Sequence, residues 1–221
     1  MKRLFDVMVS LVGILILAPL MLAISVIIKF RSVGPILYKQ QRVGWHEALF
    51  NVYKFRTMVD KADTMGSSVT TGIDPRITPV GRFLRKTKLD ELPQLFNVLK
   101  GEMSFVGPRP DTPDIIAKYT PEMREIFAAR PGITSVATLH FRDEEDILAR
   151  VTEPDKFYKE IVVPLKVELA MEHVRKNSFW FDLSILCQTF WVLTPLGKIW
   201  PVKELQVVKR FKEKYLLNTK P

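Results

Sequence analysis

The chain has 221 residues, 47% of them hydrophobic, which suits one domain or one domain with a membrane element. Its net charge of +9, from 33 Lys+Arg against 24 Asp+Glu, favours an anionic partner such as nucleic acid, phospholipid headgroups or a phosphorylated substrate. One cysteine, Cys187, excludes an internal disulfide framework, and three dispersed histidines (His46, His140, His173) without a cysteine cluster argue against structural zinc.

Leu4 to Ile28 reads LFDVMVSLVGILILAPLMLAISVII and is apolar apart from Asp6 and two serines. The run exceeds the roughly 18 residues that flag a membrane segment. It is too long for a signal-peptide core of about 7–15 residues, and no cleavage site follows it. Two readings stay open. One is a simple span. The other is a shallow hairpin, because Pro19 removes a backbone donor and basic residues flank both ends: Lys2 and Arg3 before, Lys29 and Arg31 after. If both flanks stay on the cytoplasmic side, the helix breaks near Ala18-Pro19 and returns.

PILYKQQRVG and LFNVYKFRTM read as two strands about a turn at Gly44, with alternation at Ile36/Tyr38 and Phe50/Val52. Val59 to Thr78 is rich in Gly, Ser, Thr and Asp and reads as a loop. Leu92, Leu95, Phe96 and Leu99 share one helical face, with Pro93 in the first turn and Gly101 as the stop. Asp90 and Glu91 then stand at the start of that helix, where an acidic pair commonly does no more than offset the helix dipole. Arg109 lies between Pro108 and Pro110, which restrict its backbone and hence the directions of its guanidinium. Such a planar fork suits phosphate.

TPEMREIFAARPG predicts a helix capped by Thr120 and ended by Pro131-Gly132. PLKVELAMEHVRKN places Val167, Ala170, Met171 and Val174 on one helical face. SFWFDLSILCQTFWVLTPLGKIWP is strongly aromatic, through Phe179, Trp180, Phe181, Phe190, Trp191 and Trp200. It suits either a membrane interface or an aromatic core. A basic tail begins at Lys203. No repeat, low-complexity tract or nucleic-acid-binding motif is found, so nucleic acid is not an expected partner.

YKFRTM, DPRITPVGRFLRKTKLDELPQLFNVLKGEMSFVGPRP and RPGIT together resemble the bacterial sugar transferases, the monotopic polyprenol-phosphate phosphoglycosyl transferases. The resemblance covers nearly the whole chain and is closest to the small members that consist of the catalytic domain alone. It implies an α+β, mainly helical fold. Residues 1–32 would form a re-entrant membrane helix-break-helix, with Ala18 and Pro19 at the break. Residues 33–221 would form a cytoplasmic catalytic domain with a small β-hairpin and interfacial amphipathic C-terminal helices, on the bacterial inner membrane.

The resemblance also implies a reaction: sugar 1-phosphate passes from a UDP-sugar to polyprenol (undecaprenyl) phosphate and UMP leaves. Asp90 matches the nucleophile that carries the covalent phosphosugar. Asp90 and Glu91 are matched to a Mg2+ site, and Glu91 either helps hold the metal or positions other groups. Lys54, Arg85 and Arg109 match basic residues that bind donor phosphate and nucleotide. Two departures stand out. Family members often have Ser-Pro at the membrane break, where this chain has Ala18-Pro19. Many also carry a Gly-Gln-Val-like stretch and a Gly-Arg pair after RPGIT, where this chain reads SVATLHFRDEED; Arg142 and Asp143, with His140, are the substitutes there. Membrane phospholipid is an expected partner, and the apolar surface leaves room for a homodimer. The competing reading is a noncatalytic membrane-anchored module that binds anionic lipid or a partner protein.

Overall fold

The computed structural model describes residues 1–65, 74–141, 144–176, 178–194, 196–199 and 201–215. Part of the loop expected from Val59 to Thr78, together with Trp200, Arg142, Asp143 and the end of the basic tail, lies outside them.

The apolar run forms a single helix, α1 (Lys2–Arg31). It is long and apolar enough to cross a membrane. Helical structure continues through Ala18 and Pro19, with the proline inside the helix. Proline deletes one donor, and the flanking backbone bonds survive. In apolar surroundings each bond given up costs several kcal/mol, so the helix gives up no more bonds than the proline removes. Most of α1 is exposed, yet both of its ends dock on the same body. Near the start, Lys2 Nζ donates to Val106 O at 2.9 Å and pairs with Asp182 at 2.5 Å. Arg3 donates to Val98 O at 2.6 Å and Leu99 O at 2.9 Å. Asp6, buried, accepts from Phe105 N at 3.3 Å. Near the far end, Ile24 and Ile28 are buried against Phe55 and Leu84.

The expected hairpin is present. Strand β1 (Leu37–Val43) pairs antiparallel with β2 (Leu49–Phe55), from Leu37↔Phe55 to Val43↔Leu49. Its turn contains a 3-10 segment, Trp45–Glu47, in which His46 and Glu47 have positive φ. Along β2 the pleat sends Phe50 and Val52 towards Val98 and Met103, and Lys54 falls on that same face. Phe55 faces the other way, onto α1.

Helix α2 (Pro79–Thr87) starts at Thr78, whose hydroxyl accepts from Gly81 N, and has proline in its first turn. A 3-10 turn, Leu89–Glu91, links it to α3 (Gln94–Lys100). The buried face of α3 also differs from expectation. Gln94, Leu95, Asn97 and Val98 are buried, and Phe96 is exposed. Asn97 explains the rotation. Its amide accepts from Tyr53 N (3.0 Å) and donates to Asn51 O and Glu102 Oε2 (both 2.7 Å). A side chain thus satisfies β2 where no third strand does.

Two short strands that the sequence pattern did not reveal, β3 (Ser104–Val106) and β4 (Gly132–Thr134), pair in parallel. The chain between them holds α4 (Pro113–Ile116) and a 3-10 helix, Met123–Ala128, where an α-helix was expected. The α5 (Val136–His140), α6 (Glu144–Leu148) and α7 (Pro154–Phe157) segments follow. A π-helical turn, Tyr158–Val162, leads into α8 (Val163–Lys176), in which Val167, Leu169, Ala170 and His173 are buried. Aromatic α9 (Phe179–Leu193) buries Asp182 and Ile185 and leaves Trp180 (75%) and Phe190 (68%) exposed. Then come α10 (Leu196–Ile199) and α11 (Gln206–Tyr215), which seats Val208 and Phe211 in the main core. The fold is α+β and mainly helical, as the sequence led us to expect.

Candidate active site

The acidic pair sits in the 3-10 turn ahead of α3, not in the first turn of the helix itself. Lys88 ends α2 in the left-handed region (φ 57°), which turns the chain sharply. Leu89 and Leu92, one turn apart, pack on the cluster formed by α1, Phe55 and Leu84. Their anchorage directs Asp90 and Glu91 back towards β2.

Glu91 is the hub. Its Oε1 accepts from Lys54 Nζ and from Arg109 Nη2, each at 2.9 Å. Three segments meet there: β2, the 3-10 turn, and the loop after β3. Burial pushes the Glu91 carboxyl up, but the Lys54 and Arg109 charges outweigh it and hold Glu91 well below the usual glutamate range. Burial lowers the Lys54 ammonium, and Glu91 opposes that shift. Arg109 is held charged, chiefly by Glu91.

Asp90 differs. It is 6% exposed, and its Oδ1 has no hydrogen-bond partner. Burial raises its pKa, the Lys54 charge lowers it, and Glu91 raises it further. Its surroundings are ionic, not a dry apolar core. A buried acceptor left unpaired is costly and calls for an explanation. Arg85, on α2, donates from Nε to Thr57 Oγ1 at 3.0 Å, and its charge favours the Asp90 carboxylate.

The structure therefore gathers Lys54, Asp90, Glu91 and Arg109 and places Arg85 at their edge. Arg142 and Asp143 lie outside the described residues. His140 is half-buried on α5, where burial lowers its pKa and Glu204 raises it. Among the described residues no group of three or more His, Cys, Asp and Glu is placed to hold a metal. The sequence reading missed Arg42, Asp111 and Tyr158. Each lies close to Arg109 or to the backbone that carries it. A charged residue on an alternating strand gives no signal that separates it from solvated surface.

The chain thus joins a helix long and apolar enough to cross a membrane to a body with a buried ionic cluster. Its place among known proteins follows from residues 1–195, which match the bacterial sugar transferase family; the chain belongs to that family. It is 40% identical over 195 residues to undecaprenyl-phosphate glucose phosphotransferase of Komagataeibacter xylinus, covering 85% of this chain and 35% of that protein. It is 37% identical over 204 residues to undecaprenyl-phosphate galactose phosphotransferase of Salmonella typhimurium, covering 86% and 39% respectively. The chain thus spans well under half the length of these two relatives. The uncharacterized sugar transferase EpsL of Bacillus subtilis is 35% identical over 189 residues, and there the match covers 86% of this chain and 85% of that protein.

Proposed function

We propose that this protein transfers a sugar 1-phosphate from a UDP-sugar to polyprenol phosphate, releasing UMP, through a covalent intermediate on Asp90. The observation that carries the proposal is the unpaired Asp90 Oδ1 beside a clamped set of cations. A nucleophile needs an oxygen with free lone pairs. Folding gains nothing from leaving such an oxygen buried and unsatisfied, so function is the better account.

The remaining groups act as follows. An Asp90 oxygen attacks the sugar-bearing phosphorus, and the bond to the UMP oxygen breaks. The aspartyl–phosphosugar bond replaces it. The phosphate oxygen of polyprenol phosphate then displaces Asp90 and restores the carboxylate, a ping-pong sequence. Cations near the centre let an anion approach anionic phosphate. Lys54 and Arg109 supply that charge, and Arg85 adds to it from α2. Glu91 holds the two cations in place, so of its two expected roles the geometry favours positioning. Asp90 is enclosed, so the donor reaches it only when surrounding groups move.

The donor set suits Mg2+ in part. Asp90 has an uncommitted oxygen, whereas Glu91 Oε1 is engaged by two cations. Asp90, with Glu91 through its other oxygen, would hold the ion, in keeping with a metal that takes one or two carboxylates and keeps its waters and phosphates. When bound, the ion neutralises charge on the donor phosphates.

The family relatives named for undecaprenyl phosphate support the lipid acceptor. In the same reading the protein is monotopic, with both ends of α1 at the cytoplasmic face of the inner membrane. Support comes from the basic residues at both ends and from the docking of both ends on one body. Exposed Trp180 and Phe190 on α9 suit the headgroup region.

A panel of UDP-sugars, assayed for UMP release with undecaprenyl phosphate and Mg2+, tests the reaction. Labelled sugar phosphate should remain on wild-type protein when acceptor is withheld, and none should remain on Asp90→Asn. Full UMP release by Asp90→Asn would overturn the nucleophile assignment.

A further inference from the structure

Arg109 is one member of the site whose position rests on very short stretches of backbone. The carbonyl before it, Pro108 O, accepts from Gly132 N at 2.9 Å. The carbonyl after it, Pro110 O, accepts from Arg42 Nη1 at 3.0 Å. Arg109 is therefore strung between two anchored carbonyls, and a side chain supplies the second anchor.

Arg42 is itself held firmly. Its Nε and Nη2 donate to Gln40 Oε1 (3.2 and 2.5 Å), two residues away on the same strand face. Its Nη1 faces Asp111 Oδ1 at 3.8 Å, and Asp111 Oδ2 accepts from Tyr119 OH at 2.9 Å. Asp111 O also accepts from Val43 N at 3.0 Å, so the segment is stitched to β1 by backbone as well. A planar guanidinium serves Gln40, Pro110 and Asp111 at once; an ammonium cannot reproduce that fork.

We propose that Arg42 is a positioning residue: by fixing the carbonyl of Pro110 it sets the reach of Arg109 to Glu91 and to donor phosphate. The phosphate part rests on the function proposed above.

The test is a double-mutant cycle on the full-length protein with Arg42→Gln and Arg109→Gln, read as kcat/KM for UMP release. Hydrogen exchange over residues 105–112 and melting of each variant accompany it. Arg42→Gln should lower kcat/KM about 10- to 100-fold in the wild-type background, as small misplacements of site groups do. It should have almost no effect once Arg109 is Gln. Arg42→Lys should recover part of the loss. Exchange over 105–112 should rise in Arg42→Gln. Equal loss in both backgrounds, or unchanged exchange, overturns the proposal. If wild-type protein releases UMP from no UDP-sugar, the proposed function fails, and the exchange result still decides whether Arg42 fixes the segment.

Discussion

Glu91→Gln isolates the hub of the site. The change keeps the shape and one acceptor oxygen but removes the charge that Lys54 and Arg109 share at 2.9 Å each. Hydrogen bonds to charged groups contribute about 1.5–3 kcal/mol and neutral ones about 0.5–1.5, so the loss is about 1–1.5 kcal/mol for each bond. The two together come to about 2–3 kcal/mol, below the roughly 3–5 expected when a buried partner is deleted outright. For a chain of this size each kcal/mol moves Tm by about 2–4 °C, so Tm should fall by about 4–12 °C at neutral pH. Differential scanning fluorimetry in detergent or nanodiscs measures it. The pH dependence has a definite sign. Glu91 is held well below the 4.5 of a free glutamate, so its contribution is complete above that pH. It fades only as pH falls from 4.5 through the lower folded-state value. The gap between wild type and variant should therefore be constant from neutral pH down to about 5 and narrow below that. Equal melting at neutral pH would refute the claim that one carboxylate oxygen restrains both cations.

Asp90→Asn should abolish turnover and also raise the melting temperature near neutral pH. Burial holds the Asp90 carboxyl above its usual 3.8, so ionising it costs the native state. That penalty is absent below 3.8 and complete above the raised folded-state value, so the gain should vanish in acid; a melting scan across pH checks it. Asn97→Leu leaves Tyr53 N and Asn51 O without their partner and should cost about 2–4 kcal/mol in denaturant unfolding. Gly81→Ala would bring a methyl to within 1.9 Å of Thr57 O, a backbone atom that cannot swing aside. A loss of about 1–3 kcal/mol or more is expected; an unchanged midpoint would show that α2 does not pack on Thr57 so closely.

The hairpin was readable because strict alternation admits only one strand face; its register, with Val43 opposite Leu49, is set by the loop of residues 44–48, which begins at the expected Gly44. The long apolar run and the acidic pair near a fixed arginine were readable for similar reasons: each is a local pattern. What failed was non-local. Strands β3 and β4 are three residues each and pair across a long connection, so no periodicity marks them. The apolar spacing in α3 chose Phe96, but Asn97 gains more by completing β2 than Phe96 gains by burial. The partners Lys54 and Arg109 were named from the resemblance. That both would converge on Glu91, leaving Asp90 Oδ1 unpaired, is a fact of three-dimensional arrangement.

Arg3 of α1 grips the last carbonyls of α3, the short helix that begins just after the acidic turn. The long apolar helix is thereby tied to the segment that follows Asp90 and Glu91. On the function proposed above, a displacement of α1 against the body would reach that segment through these two hydrogen bonds.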